Sequence, residues 1–310
     1  MFSVKNIFVV LFFLFQVCSL YSQPNFIIKL DTSYSMGLDV FTLSPADSNI
    51  AFGDENGNLY LINSSGNITE TPVKHTGWIN SINNKGDSLL VNGSDGYITL
   101  FNINDNSIEA KFKISDETVK QSAFISDSIL IVLSDNLSLF NTNSGKTQKI
   151  FPFTKTISCM ALIPGKKQVL LGFTDGSITV FDINTSKPVQ QLIKHKKKIT
   201  AFAISQDRKH LVSGDATGVS TFWQLSNYTM RKSFQTHSNE ISSIAFSPNG
   251  KYFVTAGWDK AIKVWNRTDF KLELNINIHR NIVTAILFHN NKFFTASYDN
   301  TIKVWNDFSR

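Results

Sequence analysis

The sequence predicts an all-β fold, a seven-bladed β-propeller of four-stranded antiparallel blades whose ring is closed by an N-terminal strand completing the last blade. Three observations carry this expectation. A unit of about forty residues recurs seven times, the mark of a repeat architecture. Each unit alternates short β-branched and apolar runs with Gly, Asn and Asp turns. The last unit lacks its fourth strand, and a spare strand stands before the first.

The clearest copies are "TAGWDKAIKVWNR" and "TASYDNTIKVWND", whose third strands end at Trp265 and Trp305. Weaker copies anchor at Ile62, Phe101, Phe140, Phe181 and Trp223. Successive anchors lie 39, 39, 41, 42, 42 and 40 residues apart. Within a copy, a first strand such as "ISSIAFS" leads into a polar turn, Pro248-Asn249-Gly250. A second strand, "KYFVTAG", a tight turn and a third strand, "AIKVW", follow. A more variable fourth strand, such as "KLELNINI", precedes the next copy. No helical stretch of useful length stands out after residue 22. A four-stranded unit cannot bury both its faces alone, whereas radial stacking buries each unit against its neighbours.

The chain stops five residues after Trp305, with no fourth strand for the seventh copy. "NFIIKLDT", Asn25–Thr32, holds the position before repeat one that "KLELNINI" holds before repeat seven. This segment is expected to complete the last blade and remove the edges an open array would expose.

These segments resemble the WD-repeat (WD40) family, over roughly residues 25–310 and most strongly in the last third. The resemblance implies a hydrogen-bonded tetrad in each full repeat. It consists of a His before strand one, a Ser or Thr on strand two, an Asp in the following turn and a Trp on strand three. His237, Thr255, Asp259 and Trp265 match throughout, as do His279, Thr295, Asp299 and Trp305. The repeat ending at Trp223 keeps His195, Ser213 and Trp223, with Thr217 at the Asp position. The repeat ending at Phe101 keeps only His75 and Asp95. Repeats one, three and four have Tyr34, Ser115 and Phe153 in place of the His, and the usual terminal Asp of the WD pair is Asn266 or Asn306. His, Ser/Thr and Asp together suggest a catalytic triad. They recur with the blade period, however, so the expected role is to tie each blade internally.

Residues 1–22, "MFSVKNIFVVLFFLFQVCSLYS", read as a secretory signal peptide, with Lys5 as the positive start and Ile7 to Phe15 as the apolar run. Cleavage is expected after Ser22, with Ser19 as the alternative, leaving 23–310 as one propeller domain. The rival reading is an uncleaved anchor, but the apolar run is short against the roughly 20 residues a bilayer needs. Cys18 lacks the small preceding residue usual for lipidation. Loss of the segment removes Lys5 and no acid, taking the net charge from +6 to +5. It also leaves Cys159 alone, so no internal disulfide can form. Cys159 lies in "TISCMAL" and is expected to be a small buried hydrophobe. The expected destination is the periplasm or the medium. Asn67-Ile68-Thr69 and Asn227-Tyr228-Thr229 are glycosylation sequons compatible with it.

Little else suggests chemistry. "DENGN" at Asp54–Asn58 resembles the start of a calcium loop, but the twelfth position is Ser65, so a hairpin turn is expected. No His pair has metal spacing, and no acid pair suggests a glycosidase. Neither a metal nor a cofactor is expected, and no catalytic residue. Lys194 to Lys198 form the one charge run, in the loop before strand one of repeat five; Lys74, Lys155 and Arg280 occupy comparable loops. The aromatics Trp78, Trp258 and Tyr298 fall at the same end of their blades. With Lys196, Lys197, Lys198 and Arg280 they form the candidate partner-binding face, since exposed aromatics are enriched in interface hot spots.

The expected function is a non-catalytic, exported scaffold holding a protein on this top face, monomeric in isolation. An acidic or envelope surface is a further possible contact, and no nucleic-acid partner is expected. The alternatives are a glycan or small-ligand sensor using Trp78 and Trp258, and an enzyme with its site at the central channel. The first strands that would line that channel are mostly apolar with Ser and Thr, which disfavours the enzyme.

Overall fold

A computed structural model describes residues 30–290 and 292–306. The expected signal segment, residues 1–22, lies outside them. Strand β1 (Leu30–Ser35) comes first. Blade one is β2 (Val40–Ala46), β3 (Asn49–Asp54), β4 (Asn58–Ile62) and β5 (Ile68–Lys74). Blade two is β6 (Ile79–Lys85), β7 (Ser88–Gly93), β8 (Tyr97–Asn102) and β9 (Ser107–Lys113). Blade three is β10 (Gln121–Phe124), β11 (Ile129–Leu133), β12 (Leu137–Asn141) and β13 (Lys146–Phe151). Blade four is β14 (Ile157–Leu162), β15 (Gln168–Phe173), β16 (Ser177–Asp182) and β17 (Lys187–Ile193). Blade five is β18 (Ile199–Ile204), β19 (His210–Asp215), β20 (Val219–Gln224) and β21 (Thr229–Gln235). Blade six is β22 (Ile241–Phe246), β23 (Tyr252–Gly257), β24 (Ile262–Asn266) and β25 (Leu272–Ile276). Blade seven is β26 (Val283–His289), β27 (Lys292–Ser297) and β28 (Thr301–Asn306).

Each blade is a four-stranded antiparallel sheet in chain order, and the seventh runs β26, β27, β28, β1. The first strands touch one another around the ring, and β2 meets β26 to close it. The fold is therefore the seven-bladed propeller that the sequence predicts, with the N-terminal strand in the last blade.

The closing strand pairs Leu30 with Trp305 and Ser35 with Thr301. It runs three residues past the expected Thr32, while residues 25–29 lie outside the described residues. Ser33, Tyr34 and Ser35 are too polar to read as a strand. They can serve as one because an outermost strand needs only its backbone on the inner side and exposes most side chains.

Burial follows position in the blade. Second strands are covered on both sides, as in β23, where every residue from Phe253 to Gly257 is buried. Outermost strands face water, as in β17, where only Leu192 is buried. The apolar core lies between blades. Val212 and Phe222 of blade five meet Ile241, Phe253 and Trp265 of blade six. Val40, Phe52 and Ile62 of blade one meet Ala296, Ile302 and Val304 of blade seven, so the seam is packed like the other joints.

A β-bulge recurs after the first residue of strand one, between Val40/Thr42, Ile79/Ser81, Ile157/Cys159, Ile199/Ala201, Ile241/Ser243 and Val283/Ala285. A bulge re-aims the side chain it carries. In four of these blades the side chain it carries bonds the next blade. Asn80 Nδ2 donates to Val119 O at 3.0 Å, Ser158 Oγ to Ile199 O at 2.6 Å and Thr284 Oγ1 to Val40 O at 2.6 Å. Ser242 Oγ donates to Val283 O in the same way. These bonds form a belt at the mouth of the channel.

Candidate partner-binding face

The loop before strand one and the turn between strands two and three share one end of each blade, the top face. In blade six the indole Nε1–H of Trp265 donates to Thr255 Oγ1 at 3.0 Å. An indole can only donate, so the Thr255 hydroxyl must accept there and directs its own proton to His237 Nε2, 2.8 Å away. His237 then carries its proton on Nδ1 and donates it to Asp259 at 2.8 Å. Asp259 also accepts from the backbone of Ser238 and Ala261. Blade seven repeats this chain. Trp305 lies 3.1 Å from Thr295, which is 2.8 Å from His279, which is 2.9 Å from Asp299.

Blade five corrects the sequence reading. Thr217 does not fill the Asp position's role. Asp215, the last residue of β19, reaches His195 Nδ1 at 2.7 Å, and Ser213 links His195 Nε2 to Trp223. The network is complete, with its carboxylate two residues early. Blades two and six have Gly93 and Gly257 at that strand-end position. A Cβ on Gly93 would lie 2.1 Å from His75 Nδ1, so a bare backbone there makes room for an imidazole and a turn carboxylate. Asp215 brings its carboxylate to the same space from the strand. The pattern "SGDATG" held this clue, because Asp stands where the stronger repeats have Gly or Ser.

Blade two is also fuller than the sequence reading allows. Asp95 meets His75 Nδ1 at 2.8 Å, and Thr99 meets Nε2 at 3.0 Å. Thr99 is on strand three, directly across from Val91, which occupies the usual hydroxyl position on strand two. The hydroxyl has crossed to the partner strand, so a search along strand two cannot find it.

Burial holds His75 and His279 below the ordinary imidazole value of 6.5, against the pull of their carboxylate partners. Lys111 near His75 and Lys303 near His279 act in the same direction as burial. Burial alone would raise Asp95, Asp215 and Asp259. Hydrogen bonds from the imidazoles and loop backbone outweigh it, leaving all three low and Asp259 at about 2. Both shifts have the same consequence. Between the folded and unfolded pKa the unfolded chain binds more protons, so acid favours unfolding. The urea midpoint should be level above about pH 7, fall below 6.5 as exposed imidazoles charge, and fall faster below 3.8. An unchanged midpoint between pH 7 and 5 would contradict neutral imidazoles in the native state.

Of the remaining predicted residues, Trp78 and Trp258 are each 45% exposed. Tyr298 is half-buried. Trp78 and Tyr298 are brought together through Phe41, a residue the sequence reading did not single out. The Phe41 ring lies 6.1 Å from that of Trp78 and 5.0 Å from that of Tyr298. Among the described residues, Trp258 makes no ring contact with this group. Its backbone N–H donates to Glu240 O. Lys196 and Lys197 are exposed, and Lys198 approaches Glu240 at 3.7 Å. Arg280 is exposed, its backbone N–H donating to Asp299 at 2.9 Å. Cys159 is buried, and burial pushes its thiol up to about 12.

Comparison with known families places these features. The family model of the WDR36/Utp21 first β-propeller matches residues 42–267, and that of the WD domain, G-β repeat, matches residues 270–306. Comparison with curated proteins finds no match. Propellers of this kind commonly serve as protein-interaction scaffolds and are generally non-catalytic. The seven-sheet ring and the two matches together span almost every described residue: the chain belongs to the WD-repeat β-propeller family.

Proposed function

We propose that this protein is an exported, non-catalytic scaffold, monomeric by itself, that holds a protein partner on its top face. The observation that carries this reading is the pair of large indoles, Trp78 and Trp258, each nearly half exposed on one end of a rigid ring. Water gains little from such rings, whereas a partner can bury them at low entropic cost. The blades beneath are tied by the His-centred networks, so the face is held in shape before a partner arrives. The basic loop at Lys196, Lys197 and Lys198, with Arg280, supplies polar rim contacts and a charge that suits an acidic region of the partner or an envelope surface. Export rests on the pattern of residues 1–22.

The opposite end favours the protein-binding reading over a small-ligand one. A cavity of about 600 Å³ opens there among blades two, three and four. Its polar side chains are already engaged: Asn83 with Ser122 O, Gln121 with the Met160 N–H, and Lys85 with Asp127.

Crosslinking in the native host followed by mass spectrometry tests the scaffold. The double variant Trp78→Ala, Trp258→Ala should melt within a few degrees of the parent, because each ring is largely peripheral. It should capture the partner at least tenfold less. Full capture by the variant would move the contact off this face. Hits on a glycan array that the same variant loses would replace the protein partner with a sugar.

A further inference from the structure

The belt at the channel mouth is interrupted at blade five, where Thr200 Oγ1 donates back to Gly214 O of its own blade at 3.3 Å, and at blade one, where no donor is present at all. Where Asn80, Ser158, Ser242 and Thr284 donate to the next blade, blade one carries Phe41 on its bulge. A phenyl ring has no donor, so this joint gives up the bond its counterparts make.

Phe41 joins side chains from three blades. Its ring is nearly parallel to Trp78 of blade two, at 11°, and tilted 57° against Tyr298 of blade seven. Trp78 is held in place by its own Nε1–H, which donates to Asn80 Oδ1 at 2.8 Å. Two carboxylates stand beside these rings. Asp39 immediately precedes β2, and the Glu55 N–H donates to Asp39 O at 3.2 Å. The side chains of Asp39 and Glu55 meet no hydrogen-bond donor or cation among the described residues, unlike the carboxylates of the His networks. Burial holds the Asp39 carboxyl above its ordinary range, and Glu55 and Asp299 add to the effect. Burial together with Asp39 and Glu55 likewise pushes the Tyr298 phenol up to about 12, so it stays neutral. Acids that meet no donor or cation of their own chain, standing by aromatic rings, are complementary to a cation.

We propose that this corner of the top face, formed by Phe41, Trp78, Tyr298, Asp39 and Glu55, seats an arginine side chain from a basic segment of the protein partner. The inference rests on the scaffold reading and names the chemistry it would recognise. A guanidinium is flat and weakly hydrated. It can stack on an aromatic face of this corner and present planar N–H groups to a carboxylate, which an ammonium cannot do equally well. The chain as a whole is positively charged, at +6, so overall charge does not account for this acidic corner. Lys196 and Lys197 on blade five would repel the same segment and so set which way it lies.

The test uses the full-length protein and fluorescein-labelled Gly/Ser octapeptides bearing two arginines, two lysines or two glutamates, followed by anisotropy. The arginine peptide should bind best, and more weakly as salt is raised. Asp39→Asn, Glu55→Gln should weaken it at least tenfold, while Lys187→Ala, on the exposed outer strand of blade four, should not. The acid-to-amide variant should melt at or above the parent temperature, because it removes like-charge repulsion. A merely structural role would instead lower it. Unchanged affinity in that variant, preference for the glutamate peptide, or lysine binding equal to arginine would overturn the proposal. Crosslinking separates it from the reading it rests on. A partner captured equally by the parent and the acid-to-amide variant would overturn the arginine seat and leave the scaffold. Arginine-peptide binding that the variant abolishes, with no protein captured in the host, would sustain the seat and overturn the scaffold.

Discussion

Removal of Leu30–Ser35 should lower the urea midpoint of the entire ring and shift part of the protein to larger species on size-exclusion chromatography. Strand β1 pairs with β28 from Leu30 to Ser35, and the Met36 N–H adds a bond to Asn300 O at 2.7 Å. Without it, the outer edge of β28 presents unpaired backbone groups, a template for association with other chains. Leu30 also packs against the cluster containing Trp305, which would lose cover. The strand continues into β2 and so ties the first blade covalently to the last. After its loss the packing of blade one on blade seven and the Thr284–Val40 bond would hold the seam without a covalent tie. A lost ladder of this length and an uncovered indole together amount to about 5 kcal/mol or more. A peptide with the sequence of Leu30–Ser35, added in excess, should raise the midpoint again by mass action. A deletion variant with the parent midpoint would show that the seam does not depend on this strand.

Asp299→Ala should cost on the order of 3 kcal/mol, the usual penalty when one member of a buried polar pair is removed. Five groups depend on this carboxylate, the Thr301 hydroxyl at 2.5 Å among them. His279 Nδ1 donates to it at 2.9 Å, as do the backbone N–H groups of Arg280 at 2.9 Å and Thr301 at 3.1 Å, and Lys303 approaches at 3.9 Å. Burial raises this carboxyl, but the bonds from His279, Thr301 and Arg280 prevail and hold it far below the carboxylate range. The alanine variant would leave a buried imidazole donor and the partly buried Lys303 without their acceptor. Asp175 provides the control. It holds the same turn position in blade four, where no His is present, and it pairs with Lys155 at 2.7 Å on the surface with 47% of its side chain exposed. Its carboxyl is also low, at about 2, through the Lys155 bond first and Ser177 second. Solvent screens that pair, so Asp175→Ala should cost less than about 1 kcal/mol. Chemical denaturation of the two variants measures the difference. Equal losses would mean that the turn aspartate matters for the turn alone and not for the imidazole.

Much of the fold is legible in the residues because each blade is a local object. The spacing of Ile62, Phe101, Phe140, Phe181, Trp223, Trp265 and Trp305 counts the blades directly. The spare N-terminal strand and the missing C-terminal one announce the seam. The legible part ends where space can be filled in more than one way. Asp215 and Thr217 are two residues apart, and only the geometry shows that the strand-end carboxylate, not the turn hydroxyl, meets His195. Thr99 replaces the hydroxyl of strand two from strand three, because residues directly across an antiparallel pair share a face. Ser33–Ser35 join the closing strand although their polarity hides it, since an outermost strand is recognised by its backbone.

By itself the sequence determined the number of blades, the order of strands within each and the pairing of the two termini. These follow from periodicity and turn chemistry, which are properties of short segments. Only the tertiary structure decided which carboxylate meets which imidazole. It also decided that Phe41, Trp78 and Tyr298, from three different blades, meet beside Asp39 and Glu55. That meeting depends on the curvature of the closed ring and on a bulge that turns Phe41 toward its neighbour. Both arise from packing between blades, and no local pattern encodes them.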